Sequence, residues 1–77
     1  MKPIRITYDR TGNVLSVRFN EQREAFCRES DVGNKEVVHS IAADGSIIGV
    51  EILNFLPKGA RRPSKVLPVQ TRILAAS

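Results

Sequence analysis

The sequence contains one cysteine, one histidine and no tryptophan in 77 residues. A lone Cys27 excludes an internal disulfide, and one Cys with one His gives too few donors for a zinc site of ordinary ligand count. Aromatic residues make up only 5% of the chain, and none is interleaved with Lys58, Arg61, Arg62 and Lys65, so the stacking that single-strand nucleic-acid binders use is missing there. The opening stretch MKPIRITYDR lacks the apolar run of a signal peptide. The longest apolar stretches, Ile47 to Val50 and Ile52-Leu53 with Phe55 and Leu56, fall far short of the ~20 residues that cross a bilayer. A cytoplasmic, reduced protein without cofactor or membrane association is the expectation.

Acidic residues are also missing from the last third. Residues 1–51 hold seven Lys or Arg against eight Asp or Glu, a net charge of −1. Residues 52–77 hold Lys58, Arg61, Arg62, Lys65 and Arg72 with no acid, a net of +5. The pI of 9.8 is therefore a property of the C-terminal segment.

What is present is a hydrophobic fraction of 42%, enough for a core and too high for wholesale disorder. A chain this short has room for one domain and buries roughly 60% of its surface, which leaves stability marginal without help. With disulfides and metals set aside, association is the remaining helper.

Ile4-Arg5-Ile6-Thr7-Tyr8 and Leu15-Ser16-Val17-Arg18-Phe19 each alternate apolar and polar, the period of a half-buried strand. Turn formers lie between them, and Gly12-Asn13 supplies positive φ. Setting Asp9 against Val14 pairs Tyr8 with Leu15, Ile6 with Val17 and Ile4 with Phe19, which gathers the larger apolar residues on one face. A second hairpin is expected around Asp44-Gly45, read as a two-residue type I′ turn. Setting Ala43 against Ser46 pairs Ile41 with Ile48, His39 with Val50 and Val37 with Ile52, and puts Ala42 with Ile47, Ser40 with Gly49 and Val38 with Glu51 on the other face.

Residues 20–35 are more polar, with Ala25 to Glu29 a short edge strand and Gly33-Asn34 a turn signal. The domain organisation expected is an antiparallel β domain over 1–56 and a basic extension over 57–77, with 57–65 a loop. Pro68 is placed to open a short helix at 68–76, against a competing strand through Val66, Leu67 and Val69. The fold class is mainly β, or α+β if that helix forms. A sheet with one apolar face must cover it, so a homo-oligomer, first of all a dimer, is expected, with C-terminal segments exchanged between subunits as one arrangement.

Tyr8-Asp9 after a first strand, Leu15-x-Val17-x-Phe19, and Asp44-Gly45-x-Ile47-Ile48-Gly49-Val50-Glu51-Ile52-Leu53 together resemble the small bacterial proteins of domain of unknown function family 2283, over residues 4–54. The resemblance implies a compact antiparallel sheet domain without an established biochemical role. Some members are encoded beside small toxin-like ribonuclease domains, which implies an antitoxin-like or partner-binding role. The chain departs from the family at Ser40-Ile41-Ala42-Ala43, where acidic residues are common, and in its longer basic tail.

Candidate chemistry is thin. His39 falls on the apolar face, where a core or interface histidine is expected before a general base. Cys27 has Arg28 as its one adjacent cation and reads as a small strand or loop residue rather than a nucleophile. Glu21, Glu24, Glu29 and Asp31 are interleaved with Arg23 and Arg28, as in a solvated and self-compensated segment rather than a metal or acid–base site. Glu51 sits within an apolar strand and is expected to pair with Arg5 or Arg18. The strongest signal is the cation set Lys58, Arg61, Arg62, Lys65 and Arg72. These residues suit an acidic protein partner or, as the alternative, the phosphate backbone of a nucleic acid, although no helix-turn-helix or other reading motif accompanies them. The expected function is a non-enzymatic, oligomeric interaction module.

Overall fold

Five strands form one open antiparallel sheet: β1 (Arg5–Asp9), β2 (Val14–Arg18), β3 (Glu24–Val32), β4 (Lys35–Ala42) and β5 (Ile47–Ile52). The computed structural model describes residues 3–32 and 35–75. The spatial order is β1-β2-β5-β4-β3, so the chain leaves β2 near the middle and crosses to the far edge. From there it winds back strand by strand until β5 docks on β2.

The first hairpin has the expected register, with Asp9 opposite Val14, Tyr8 opposite Leu15 and Ile6 opposite Val17. Its loop is set by two side chains. Asp9 Oδ1 accepts from the Thr11 and Gly12 amides at 3.0 and 3.2 Å, an Asx-type turn. Asn13 then takes φ 57°, a left-handed conformation that Asn tolerates better than most residues.

The second hairpin keeps the expected pairs Val37–Ile52, Val38–Glu51, His39–Val50 and Ser40–Gly49, but its turn differs. The Gly45 amide donates to the Ala42 carbonyl and the Ala42 amide to the Ser46 carbonyl, each at 2.9 Å, which makes a three-residue loop rather than the two-residue type I′ turn. Type I′ needs positive φ at both central residues, and here only Gly45, at 89°, has it. Asp44 instead accepts from the Ser46 amide at 2.9 Å and its hydroxyl at 2.6 Å. The extra loop residue shifts Ile41 opposite Ile47, and a bulge between Ser40 and Ile41 restores the register for the rest of the ladder.

The short edge strand expected over Ala25 to Glu29 is the nine-residue β3, so the sheet is larger than two hairpins. It pairs with β4 from Glu24–Ala42 to Val32–Lys35, with a shift between Glu24 and Phe26. The Gly33-Asn34 turn lies outside the described residues. Residues 68–75 form no helix, nor do Val66, Leu67 and Val69 form the competing strand, and Ala76 lies outside the described residues. An isolated helix of that length is marginal in water, and Ile73 and Leu74 stand 97 and 80% exposed rather than packed on the sheet. The fold is mainly β, with no helix among the described residues long and apolar enough to cross a membrane.

The registers align residues across the sheet. One face carries the rows Ile6–Val17–Val50–His39–Arg28 and Tyr8–Leu15–Ile52–Val37–Ser30. The other carries Arg5–Arg18–Gly49–Ser40–Cys27 and Thr7–Ser16–Glu51–Val38–Glu29. The sheet thus has an apolar and a polar face, as alternation dictates. Buried hydrophobic residues are few among those described: Leu15, Ile41, Ala42 and Ile48.

Candidate interaction surface

The C-terminal segment is fastened to the sheet by side chains far away in sequence. Asn13, 6% exposed, is the hub. Its Nδ2 donates to the Leu56 carbonyl at 2.9 Å, and its Oδ1 accepts from the Leu56 amide at 3.1 Å and the Tyr8 hydroxyl at 2.7 Å. Its carbonyl accepts from the Phe55 amide at 3.0 Å. Phe55 then meets the Tyr8 ring edge-on at 6.1 Å, under the Lys35 ammonium at 5.4 Å from its centroid. Lys35 Nζ also donates to the Phe55 carbonyl at 2.7 Å.

Farther on, Arg62 Nη1 donates to the carbonyls of Arg10 and Thr11, both at 2.7 Å, and Arg10 Nε donates back to the Arg62 carbonyl at 3.4 Å. Of the five tail cations, Arg62 is therefore turned onto backbone of the β1–β2 loop. Lys58, Arg61, Lys65 and Arg72 are exposed. The loop expected over 57–65 is present, turning at Pro57–Ala60 with Gly59 at φ 86°, but it is latched to the sheet. Residues Pro63 to Leu67 then line a surface cavity of about 290 Å³ together with Ile6, Thr7 and Tyr8 of β1.

The other candidates separate. Cys27 and His39 project from opposite faces, because Cys27 aligns with Ser40 while its neighbour Arg28 aligns with His39. No thiol–imidazole pair can form between them. Exposed Cys27 donates to Glu24 Oε1 at 3.2 Å. That hydrogen bond to a carboxylate, with the further negative charges of Glu51 and Glu29, pushes the thiol up and away from thiolate chemistry. Glu24 is in turn held below its ordinary value by the hydroxyl of Ser40 and then by the Cys27 thiol. No group of three or more His, Cys, Asp and Glu able to hold a metal occurs among the described residues.

Glu51 lines a polar cleft of about 270 Å³ with Arg5, Thr7, Ser16, Arg18, Ser40 and Gly49. Arg18 is turned to the β2–β3 crossover, with Nε donating to the Asn20 carbonyl at 2.9 Å and Nη2 to the Gln22 carbonyl. Gly49 floors this cleft, where a β-carbon would lie 2.8 Å from the Val17 carbonyl oxygen. The close approach of β2 and β5 therefore requires glycine.

The surface that remains conspicuous is the apolar face with its flanking residues. Ile4, Ile6, Phe19 and Phe26 are 58, 37, 41 and 48% exposed, and the tail adds Val66, Ile73 and Leu74 at 80, 97 and 80%. The apolar face was legible in the alternation of residues. The Asn13 hub and the Arg62 latch were not, since neither leaves a local pattern. The one signal at Asn13 was a positive-φ residue next to a buried strand position.

No curated protein and no solved structure matches the chain at a significant level. Residues 5–55 match a family by its sequence profile, and that span contains all five strands and Asn13. The chain belongs to the family described as protein of unknown function (DUF2283).

Proposed function

We propose that the chain is a non-enzymatic interaction module that works as a homodimer, with the apolar face of its sheet against that of a second copy. The observation that carries this reading is an excess of surface. The chain exposes 6511 Å², whereas a compact monomer of 8.5 kDa exposes about 4,700 Å² by the usual size scaling. The excess of about 1,800 Å² is shared between the tail, the β3 edge and the apolar face, and leaves room for a substantial interface. The radius of gyration agrees, at 14.1 Å against about 11–12 Å for a compact domain of this length. One open layer of strands with an apolar face needs a second layer, and an identical face offers one.

A role outside catalysis is supported by the separation of Cys27 from His39 and the upward shift of the thiol. The exposed cations Lys58, Arg61, Lys65 and Arg72 suit an acidic protein surface, and an antitoxin-like partnership belongs to the same class of function. The nucleic-acid alternative draws on the same cations, but has no interleaved aromatics and loses Arg62 to the β1–β2 loop.

Sedimentation equilibrium of the full chain tests the reading. The wild type should sediment as a dimer and Ile6→Lys as a monomer with an unchanged far-ultraviolet circular dichroism spectrum. Ile6 is already 37% exposed in one chain, so the charge should not unfold it. A wild type that stays monomeric at every accessible concentration would sink the proposal. Nucleic acid retained at low salt and released as salt rises would favour the alternative.

A further inference from the structure

The two edges of the sheet are treated differently. β1 is flanked by Pro63 to Leu67 of the tail. β3, at the opposite end, is the longest strand, and among the described residues no segment besides β4 hydrogen-bonds to its backbone. A nine-residue open edge is a ready template for another strand. Its polar face is acidic, with Glu29 and Asp31 along it, while the one cation of the strand, Arg28, aligns with His39 on the other face.

The tail beyond Leu67 has the complementary character. Residues 68–75 form no regular secondary structure, and among the described residues the backbone bonds between segments end at Ala60. Val69, Ile73 and Leu74 are 40, 97 and 80% exposed, and Arg72 stands among them. Val69, Thr71 and Ile73 alternate with Gln70, Arg72 and Leu74, so an extended conformation sends Ile73 and Arg72 to opposite faces. Pro68, which has no amide hydrogen to give a ladder, stands just before the segment where it does no harm.

Resting on the homodimer reading, we infer that Val69 to Ala75 of one copy adds as a sixth strand to the outer edge of β3 of the second copy. Ile73 or its apolar neighbours pack beside exposed Phe26, and Arg72 meets the carboxylates of Glu29 and Asp31. The reach of the tail favours the second copy over its own sheet. Arg62 holds the tail at the β1–β2 loop and Pro63–Leu67 lie on the β1 side, four inter-strand spacings or about 19 Å from β3. The eight residues 68–75 extend to at most about 28 Å, so crossing their own sheet leaves too few residues to pair along β3. Strand addition to a neighbour needs no such crossing, and it meets acid with base.

The test uses the full chain and a full-length Arg72→Glu/Ile73→Asp variant. It combines sedimentation equilibrium with hydrogen exchange of the peptide spanning Glu24–Val32 over a range of protein concentrations. In the wild type, β3 exchange should slow as the chain associates, and the variant should lose that slowing. Its association should weaken about tenfold or more, with a charge pair and a buried aliphatic both removed. If the variant associates as tightly as wild type, or β3 exchange is independent of concentration in an associating wild type, the strand-addition inference is overturned while the homodimer stands. If the wild type does not associate at all, the homodimer reading itself fails.

Discussion

Replacing Asn13 with alanine should remove a large part of the stability of this domain, and the structure gives the size of the effect. Three groups lose their partner: the Tyr8 hydroxyl, the Leu56 amide and the Leu56 carbonyl, at 2.7, 3.1 and 2.9 Å. A buried polar group left unpaired costs about 1–3 kcal/mol, and the low end applies because Tyr8 and Leu56 are only half-buried. Alanine held at φ 57° adds about 1–2 kcal/mol of backbone strain that asparagine tolerates better. The total is about 4 kcal/mol, against about 4–12 kcal/mol for a folded chain of 77 residues. Asn13→Gly separates the two contributions. It accepts the left-handed conformation but loses the same hydrogen bonds, so it should cost about 3 kcal/mol. Urea unfolding is the assay, followed through Tyr8, the sole tyrosine in a chain without tryptophan and itself a partner of Asn13. The midpoint should fall with the slope unchanged. An Asn13→Ala cost below about 1 kcal/mol would refute the hub. An Asn13→Gly variant as stable as wild type would show that backbone conformation, and not side-chain bonding, is why asparagine stands there.

Three further outcomes follow from the polar face. Gly49→Ala sets a methyl group 2.8 Å from the Val17 carbonyl oxygen, which forces β2 and β5 apart. A cost of about 2 kcal/mol is expected, read as a fall in melting temperature of roughly 10 °C for a domain this size; an unchanged melting temperature would contradict the close approach. Because the Glu24 carboxylate pushes the Cys27 thiol up, iodoacetamide should alkylate Cys27 more slowly at neutral pH than it does in Glu24→Gln, and equal rates would remove the contact. The Glu24 carboxyl is itself lowered, so its contribution to stability is present above the ordinary glutamate value and is lost as pH falls through the lowered one. Glu24→Gln should therefore flatten the acid limb of the stability profile.

The parts of the fold that the sequence disclosed are those where burial imposes a period. β1, β2, β4 and β5 each present alternate residues to an apolar face, and one-residue slips would turn that face outward, so the hairpin registers could be written down from the residues alone, except at Ile41 and Ala42, where the bulge replaces the expected pairs with Ile48 and Ile47. The Asp44-Gly45 turn was ambiguous because the dipeptide serves two loop lengths, and the choice fell to the Ser46 partners of Asp44. β3 was read too short, as Ala25 to Glu29, for a different reason. As an edge strand exposed on both faces it has no apolar period, and the ladder to β4 alone keeps it extended. The tail was hardest. Its path depends on bonds spanning 43 residues to Asn13 and about fifty to the β1–β2 loop, and polar captures of that kind leave no local trace.

The same captures explain why so basic a segment is not simply a solvated tail. Ordering residues 53–67 costs about 1–2 kcal/mol per residue in backbone entropy, and exposed cations return little of that on their own. Asn13, Arg62, Phe55 and Lys35 instead supply directed hydrogen bonds and an aromatic contact. Their geometric effect is to fix the trajectory of the chain up to Leu67, so that the residues beyond it leave from the β1 side in one direction rather than as a free tether. A tether held that way presents its apolar and cationic residues to a neighbour at little further entropic cost.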